Sequence, residues 1–235
     1  MYSQQEEEKH ILEVFKWTKL SRRHMPISTT YPPKCQWCDK HSDKWEVGEL
    51  CAGTEGGRFL DIGAFNATTF SNTRALYELG WSGILVEPSP GPLHGLVKAY
   101  GNDSRIKIIG GAITVQGGLL ELEITDDAVT MAADAPQLEQ WRSAGGFFGK
   151  LTVPSISMQQ FFDQFGGAFD FVNIDTEGTS FDLFVSMLGI GPRPRCVCLE
   201  HDNRLVEIAQ YAESANYRQV HLNGTNVIYE WQGGR

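Results

Sequence analysis

The chain is short of positive charge: 20 lysines and arginines stand against 29 aspartates and glutamates, for a net charge of -9 and a pI near 5.1. That balance provides no long-range attraction to nucleic acid or to an anionic membrane. No apolar run approaches the ~20 residues of a membrane span. The acidic, polar start at residues 1–8 does not read as a secretory signal. The expectation is a cytoplasmic protein with neither membrane nor nucleic acid as a partner. Its five cysteines are then expected as reduced thiols, and the Asn-x-Ser/Thr triplets at Asn66, Asn102 and Asn223 carry no glycan. Internal repeats are absent, which argues against a stacked-repeat architecture.

What is present is an ordinary globular composition, 41% hydrophobic and 21% charged over 235 residues, enough for one α/β domain with extensions. Residues 1–57 read as an N-terminal extension. In it Ile11, Leu12, Val14, Phe15 and Leu20 mark the apolar face of a helix that Pro26 ends, and an irregular cysteine-containing stretch follows. From residue 58 to 235 the period changes. Apolar runs at 59–62, 84–87, 106–109, 169–174 and 196–199 read as strands. Helical patterns at 68–79, 92–100, 157–165, 180–188 and 204–214 lie between or after them. Segments 112–115 and 119–124 flank Gln116-Gly117-Gly118 as a hairpin signal, and 217–222 and 227–231 flank Asn223-Gly224 as another. Residues 125–150 show no period. Strand–helix alternation predicts a mostly parallel sheet with helices on both faces, and the closing pair adds one antiparallel strand.

The chemistry is concentrated at strand ends. Phe59-Leu60-Asp61-Ile62-Gly63 is an apolar run ending in a glycine turn, and Ile84-Leu85-Val86-Glu87 ends in a carboxylate. A glycine turn followed roughly 20 residues later by an acid suits a nucleoside, whose ribose hydroxyls the carboxylate accepts. A pyrophosphate would call for Gly-x-Gly-x-x-Gly, but here Phe65 and Ala67 follow Gly63. This argues against a nicotinamide dinucleotide and for S-adenosylmethionine, which has a ribose for Glu87 and an amino-acid end for the first turn. Asp175, Glu200 and His201 close later strands. An acid or histidine there is placed to orient an acceptor and take its proton. The same three side chains are candidates for holding a divalent cation that binds two acceptor hydroxyls.

The blocks 59–64, 71–73 and 79–88, then Val153-Pro154-Ser155-Ile156-Ser157-Met158 and Phe171-Val172-Asn173-Ile174-Asp175-Thr176-Glu177-Gly178, resemble the FkbM-type methyltransferases over about residues 58–230. The resemblance implies a class I, Rossmann-like fold. Its core is a mostly parallel seven-stranded sheet with one antiparallel strand near the C-terminus and helices on both faces. It also implies S-adenosylmethionine-dependent O-methylation of a sugar, polyketide or related small metabolite. By position it places Asp61, Gly63 and Ala64 at the methionine end, with Ser71 and Asn72 holding the turn, and Phe65, Asn66 and Asp175 are expected at the cofactor as well. Glu87, with Pro88 and Ser89, falls at the ribose, and Gly111, Ala112 and Ile113 border the adenine. Phe65 and Ala67 stand where many members carry small residues.

Cys35, Cys38, His41 and Cys51 form the other candidate site, because Cys-x-x-Cys with two further ligands suits a structural zinc. Cys196 and Cys198 alternate in a strand and read as core. Phe147-Phe148 between glycines reads as an acceptor lid. Two competing readings stand beside O-methylation: N-methylation of a small amine, and a non-catalytic protein that keeps the fold. The acceptor's identity and the oligomeric state are not written in these motifs.

Overall fold

The structure, a computed structural model, describes residues 2–16, 57–125, 131, 132 and 147–233. In chain order the elements are α1 (Glu7–Lys16), β1 (Arg58–Ile62), α2 (Arg74–Glu78), β2 (Ser82–Glu87), α3 (Pro90–Tyr100), β3 (Ile106–Gly110), β4 (Ala112–Thr114), β5 (Gly118–Thr125) and β6 (Met131–Ala132). They continue with β7 (Phe147–Ser157), α4 (Met158–Phe165), β8 (Phe171–Ile174), α5 (Ser180–Ile190), β9 (Cys196–Glu200), α6 (Leu205–Ser214), β10 (Tyr217–Leu222) and β11 (Asn226–Trp231).

The main sheet has seven strands in the order β10-β11-β9-β8-β1-β2-β3. Only β11 runs against its neighbours β9 and β10. This is the mostly parallel sheet with one antiparallel strand that the alternating pattern and the closing strand pair predicted. β8 is buried along its whole length, as are all but one residue of β1 and of β9. Such strands are covered on both faces, which is why they read as unbroken apolar runs. The chain runs outward from β1 through β2 to β3, then returns to the other side of β1 with β8. The strand order therefore reverses between β1 and β8, and a crevice opens at their carboxyl ends.

Two expectations fail. Only Arg74–Glu78 is helical in the 68–79 stretch. Ahead of it Asn66 Oδ1 accepts the N–H groups of Thr68 and Thr69, so an Asx turn competes with the helix. The 112–124 stretch is not a hairpin. β4 and β5 both pair with β7, parallel and antiparallel respectively, in a second sheet ordered β4-β7-β5-β6. Gly117 and Gly118 take φ of 77° and 115° and turn the chain between strands that are separated by β7.

The N-terminal helix shares a core with the sheet. Ile11, Leu12, Val14 and Phe15 are buried in the same apolar cluster as Phe59, Leu85, Phe171 and Ile228. Phe15 meets Trp81 edge to face at 4.7 Å. At the start of the helix Glu7, fully buried, accepts the side-chain amides of Asn223 and Asn226 at 2.8 and 2.9 Å. Because Phe15 is part of that shared core, Phe15→Ala is expected to destabilise the whole domain by about 3 kcal/mol. Chemical denaturation followed by tryptophan fluorescence checks this. A lost helix with an unmoved global midpoint would contradict it.

Candidate active site

The joint beneath the crevice is built from backbone. Gly63 takes φ 81°, and a Cβ placed there would sit 1.7 Å from the carbonyl oxygen of Asp175. The N–H groups of Gly63 and Ala64 donate to Val86 O, and Asp175 N donates to Ile62 O at 2.9 Å. Three strand ends are tied together in this way. The glycine, expected to let a ligand approach, is in fact required by the neighbouring strand.

Above this joint lies a cleft of about 610 Å³, within the range of small-molecule sites. Of the residues expected at the cofactor, Gly63, Phe65, Glu87, Pro88, Ser89, Gly111, Ala112, Ile113 and Asp175 line it. Asp61, Ala64, Asn66, Ser71 and Asn72 do not. Asp61 is buried with both carboxylate oxygens engaged, by Thr73 Oγ1 at 2.6 Å and Asn173 Nδ2 at 2.8 Å. Burial raises its pKa, and those two hydrogen bonds oppose the rise. Asn72 Nδ2 donates in turn to Asn173 Oδ1, and Ser71 Oγ accepts from Arg74 N at the start of α2. These residues brace the first turn from below, and Ala64 is buried with them.

Glu87, at the end of β2, lines the cleft. Its two oxygens accept the N–H groups of Ser89 at 2.7 Å and Phe65 at 2.9 Å. Each oxygen keeps a lone pair for a ligand hydroxyl. Burial pushes its pKa up, against the pull of those N–H groups.

Beyond the ends of β8 and β9 the lining is acidic. Asp175, Glu177 and Glu200 bring one carboxylate oxygen each within 4.8 Å of one another. Glu200 Oε2 accepts Glu177 N at 2.9 Å. Desolvation, and after it repulsion from nearby carboxylates with Asp202 common to all three, raises their pKa values, Asp175 to about 7 and Glu177 to about 8. Asp175 and Glu200 share a hydrogen bond, in which Glu200 is the more reluctant to ionise. This trio can hold a proton near neutrality, and its spacing also suits an oxygen-ligated divalent cation. His201 is not part of it. It is buried outside the cleft, and its Nδ1 accepts Asn203 N within the turn after β9. The cation set read from sequence therefore loses His201 and gains Glu177.

Sequence reasoning missed several lining residues. Gln4 reaches the cleft from the segment ahead of α1, and Thr225 from the turn before β11. Neither carries a motif that announces it. Phe70 lines the cleft as well. Cys35, Cys38, His41 and Cys51 lie outside the described residues, while Phe147 and Phe148, expected as a lid, open strand β7. Cys196 and Cys198 are buried, unbridged core thiols.

Among described residues no helix is long and apolar enough to cross a membrane. The family model for the methyltransferase FkbM domain matches residues 61–218. No curated protein matches the sequence. Solved structures are similar to this chain at low identity and with TM-scores below 0.5. The FkbM methyltransferase of Methylobacillus flagellatus KT is 14% identical over 75% of this chain, with a TM-score of 0.47. This chain spans only 44% of that protein. The N-terminal domain of human METTL16 is 12% identical over 88% of this chain and 74% of its own, TM-score 0.43. The S-adenosylhomocysteine-bound methyltransferase PaMTH1 of Podospora anserina is 14% identical over 95% and 88%, TM-score 0.40.

The acid trio has a thermodynamic consequence. Its members ionise near pH 4 when unfolded but well above that when folded. Between those values the folded state binds more protons, so stability falls as pH rises. Melting temperature is expected to drop by several degrees between pH 6.5 and 8 without ligand, and Asp175→Asn should flatten the slope. Scanning calorimetry across that window checks both; a rising or level curve would count against the shared proton.

Proposed function

We propose that this chain, which belongs to the FkbM methyltransferase family, transfers a methyl group from S-adenosylmethionine to a hydroxyl of a small, uncharged metabolite. The observation that carries this reading is one cleft running from Glu87, at the end of β2, to Asp175 and Glu200, at the ends of β8 and β9. The residues fit the cofactor. Glu87 retains acceptor capacity for ribose hydroxyls, and Gly111 and Ala112 leave room for a flat base. Described lining residues include Glu87, Asp175, Glu177, Asp182 and Glu200, and none of them is Lys, Arg or His. That lining suits a sulfonium cation and disfavours pyrophosphate, nucleic acid or a phosphorylated acceptor.

When bound, the sulfonium supplies an already reactive methyl group, so the protein's work is positioning and proton removal. Asp175 is the proposed base. It lies on the joint with Gly63, so the acceptor oxygen it orients faces the strand ends that hold the cofactor. Its carboxylate would take the hydroxyl proton while the oxygen displaces the neutral thioether, S-adenosylhomocysteine, from the methyl carbon. Glu200, hydrogen-bonded to Asp175, keeps the pair's affinity for that proton near neutrality. The carboxylate excess also favours a second reading, N-methylation of an amine drawn in as its ammonium and deprotonated in the trio.

Calorimetry with S-adenosylmethionine, S-adenosylhomocysteine and NAD tests the cofactor; binding of NAD alone would overturn the reading. Glu87→Ala is expected to weaken S-adenosylhomocysteine by about 1–3 kcal/mol. Transfer of a labelled methyl group to a panel of polyols, phenols and amines separates hydroxyl from amine acceptors. In that assay the rate should rise with pH through about 7, and Asp175→Asn should lower kcat at least about 100-fold with cofactor affinity unchanged. Running it with and without a chelator decides whether the trio works with a divalent cation or with a proton alone.

A further inference from the structure

The loop between β1 and α2 places two phenylalanines in left-handed backbone, Phe65 at φ 41° and Phe70 at φ 60°. A bulky residue adopts that region only when its surroundings hold it there, and such positions cluster at ligand clamps. The surroundings here are specific. Phe65 N donates to Glu87 Oε2 at 2.9 Å. Asn66 Oδ1 closes the Asx turn by accepting Thr68 N at 2.9 Å and Thr69 N at 3.0 Å. Tyr100 Oη donates to Ala67 O at 2.9 Å. The two rings end up nearly parallel, 18° apart with centroids at 6.4 Å, and both line the cleft.

Phe70 is 50% exposed, so packing in the core does not account for its conformation. Val115 and Leu119, also exposed, line the same cleft. Apolar surface left in water at the mouth of a ligand cleft marks a binding surface.

We infer that Phe65 and Phe70 form a preorganised aromatic wall for the nucleoside half of the cofactor. The inference rests on the S-adenosylmethionine reading. The hydrogen bond from Phe65 to Glu87 assigns the wall to the nucleoside half, beside the carboxylate proposed for the ribose hydroxyls. An aromatic ring offers a flat apolar face to a base or a sugar, and a loop already ordered loses little entropy when the ligand arrives. The chain thus has ring contact where a glycine-rich turn would have had close backbone approach. Asn66 acts as a positioning residue, because its side chain holds the loop and does not reach the cleft.

The test is calorimetry of the full chain with two probes, S-adenosylhomocysteine and adenosine. Phe70→Ala is expected to weaken both by the same factor, about tenfold. Asn66→Ala should weaken both less, and Asn66→Asp, which keeps the accepting oxygen, should restore them. Melting curves report the fold. If the alanine variant unfolds, Phe70→Leu keeps apolar volume without the flat ring and carries the same comparison. Unchanged affinities would overturn the inference. So would loss for S-adenosylhomocysteine with adenosine untouched, since that places the rings at the amino-acid end. Wild-type protein that binds neither probe defeats the cofactor reading itself, and the wall falls with it.

Discussion

The contact between Gly63 and the carbonyl of Asp175 is the constraint on which the cleft depends. A Cβ on residue 63 would lie 1.7 Å from that oxygen, so no side chain fits there. The two strand ends can therefore meet only if the residue after β1 is glycine in a left-handed conformation. With that contact made, Gly63 and Ala64 bond to Val86, and Asp175 bonds to Ile62. The ends of β1, β2 and β8 are held in one rigid junction. Glu87 and Asp175, which no local interaction relates, are thereby held on either side of β1 in a single cleft.

The junction rests on buried polar groups. Asp61, Thr73, Asn173 and Asn72 form a hydrogen-bonded chain under the first turn. A buried carboxylate is tolerable because both its oxygens are satisfied. Above the junction the balance is reversed. Asp175, Glu177 and Glu200 are crowded and under-compensated, and they respond by holding protons more tightly. Hydrogen-bonded polar groups, with only Asn72 Oδ1 among these four side chains left unpartnered, brace the turn, while crowded carboxylates face the ligand space. That contrast separates support from chemistry more sharply than residue type does.

Much of this was legible from residue patterns. Strands buried on both faces read as apolar runs, and the acids at their ends were visible as such. The errors have common physical origins. Residues 112–124 look like a hairpin because a Gly-Gly turn joins two apolar runs, yet β7, distant in sequence, inserts between them. The 68–79 pattern looks helical, but Asn66 captures the backbone first. His201 sits beside Glu200 in sequence, but successive residues at a strand end point to opposite sides, so only one faces the cleft. Gln4 and Thr225 reach the site from outside the 61–218 family domain, and nothing local marks them.

The sequence by itself determined the sheet's composition, the nucleoside-type turn and the acid at the end of each functional strand, because apolar periodicity and strand-end residues are local properties. Tertiary structure alone decided which of those acids converge. It moved Asp61 into a supporting role, replaced His201 with Glu177, and brought Gln4 and Phe70 to the cleft. Convergence depends on strand order, and strand order is set by packing between segments more than a hundred residues apart, such as the pairing of Asp61 with Asn173 across β1 and β8. The glycine at position 63 belongs to both levels: its identity is plain in the sequence, but the carbonyl that requires it comes from another strand.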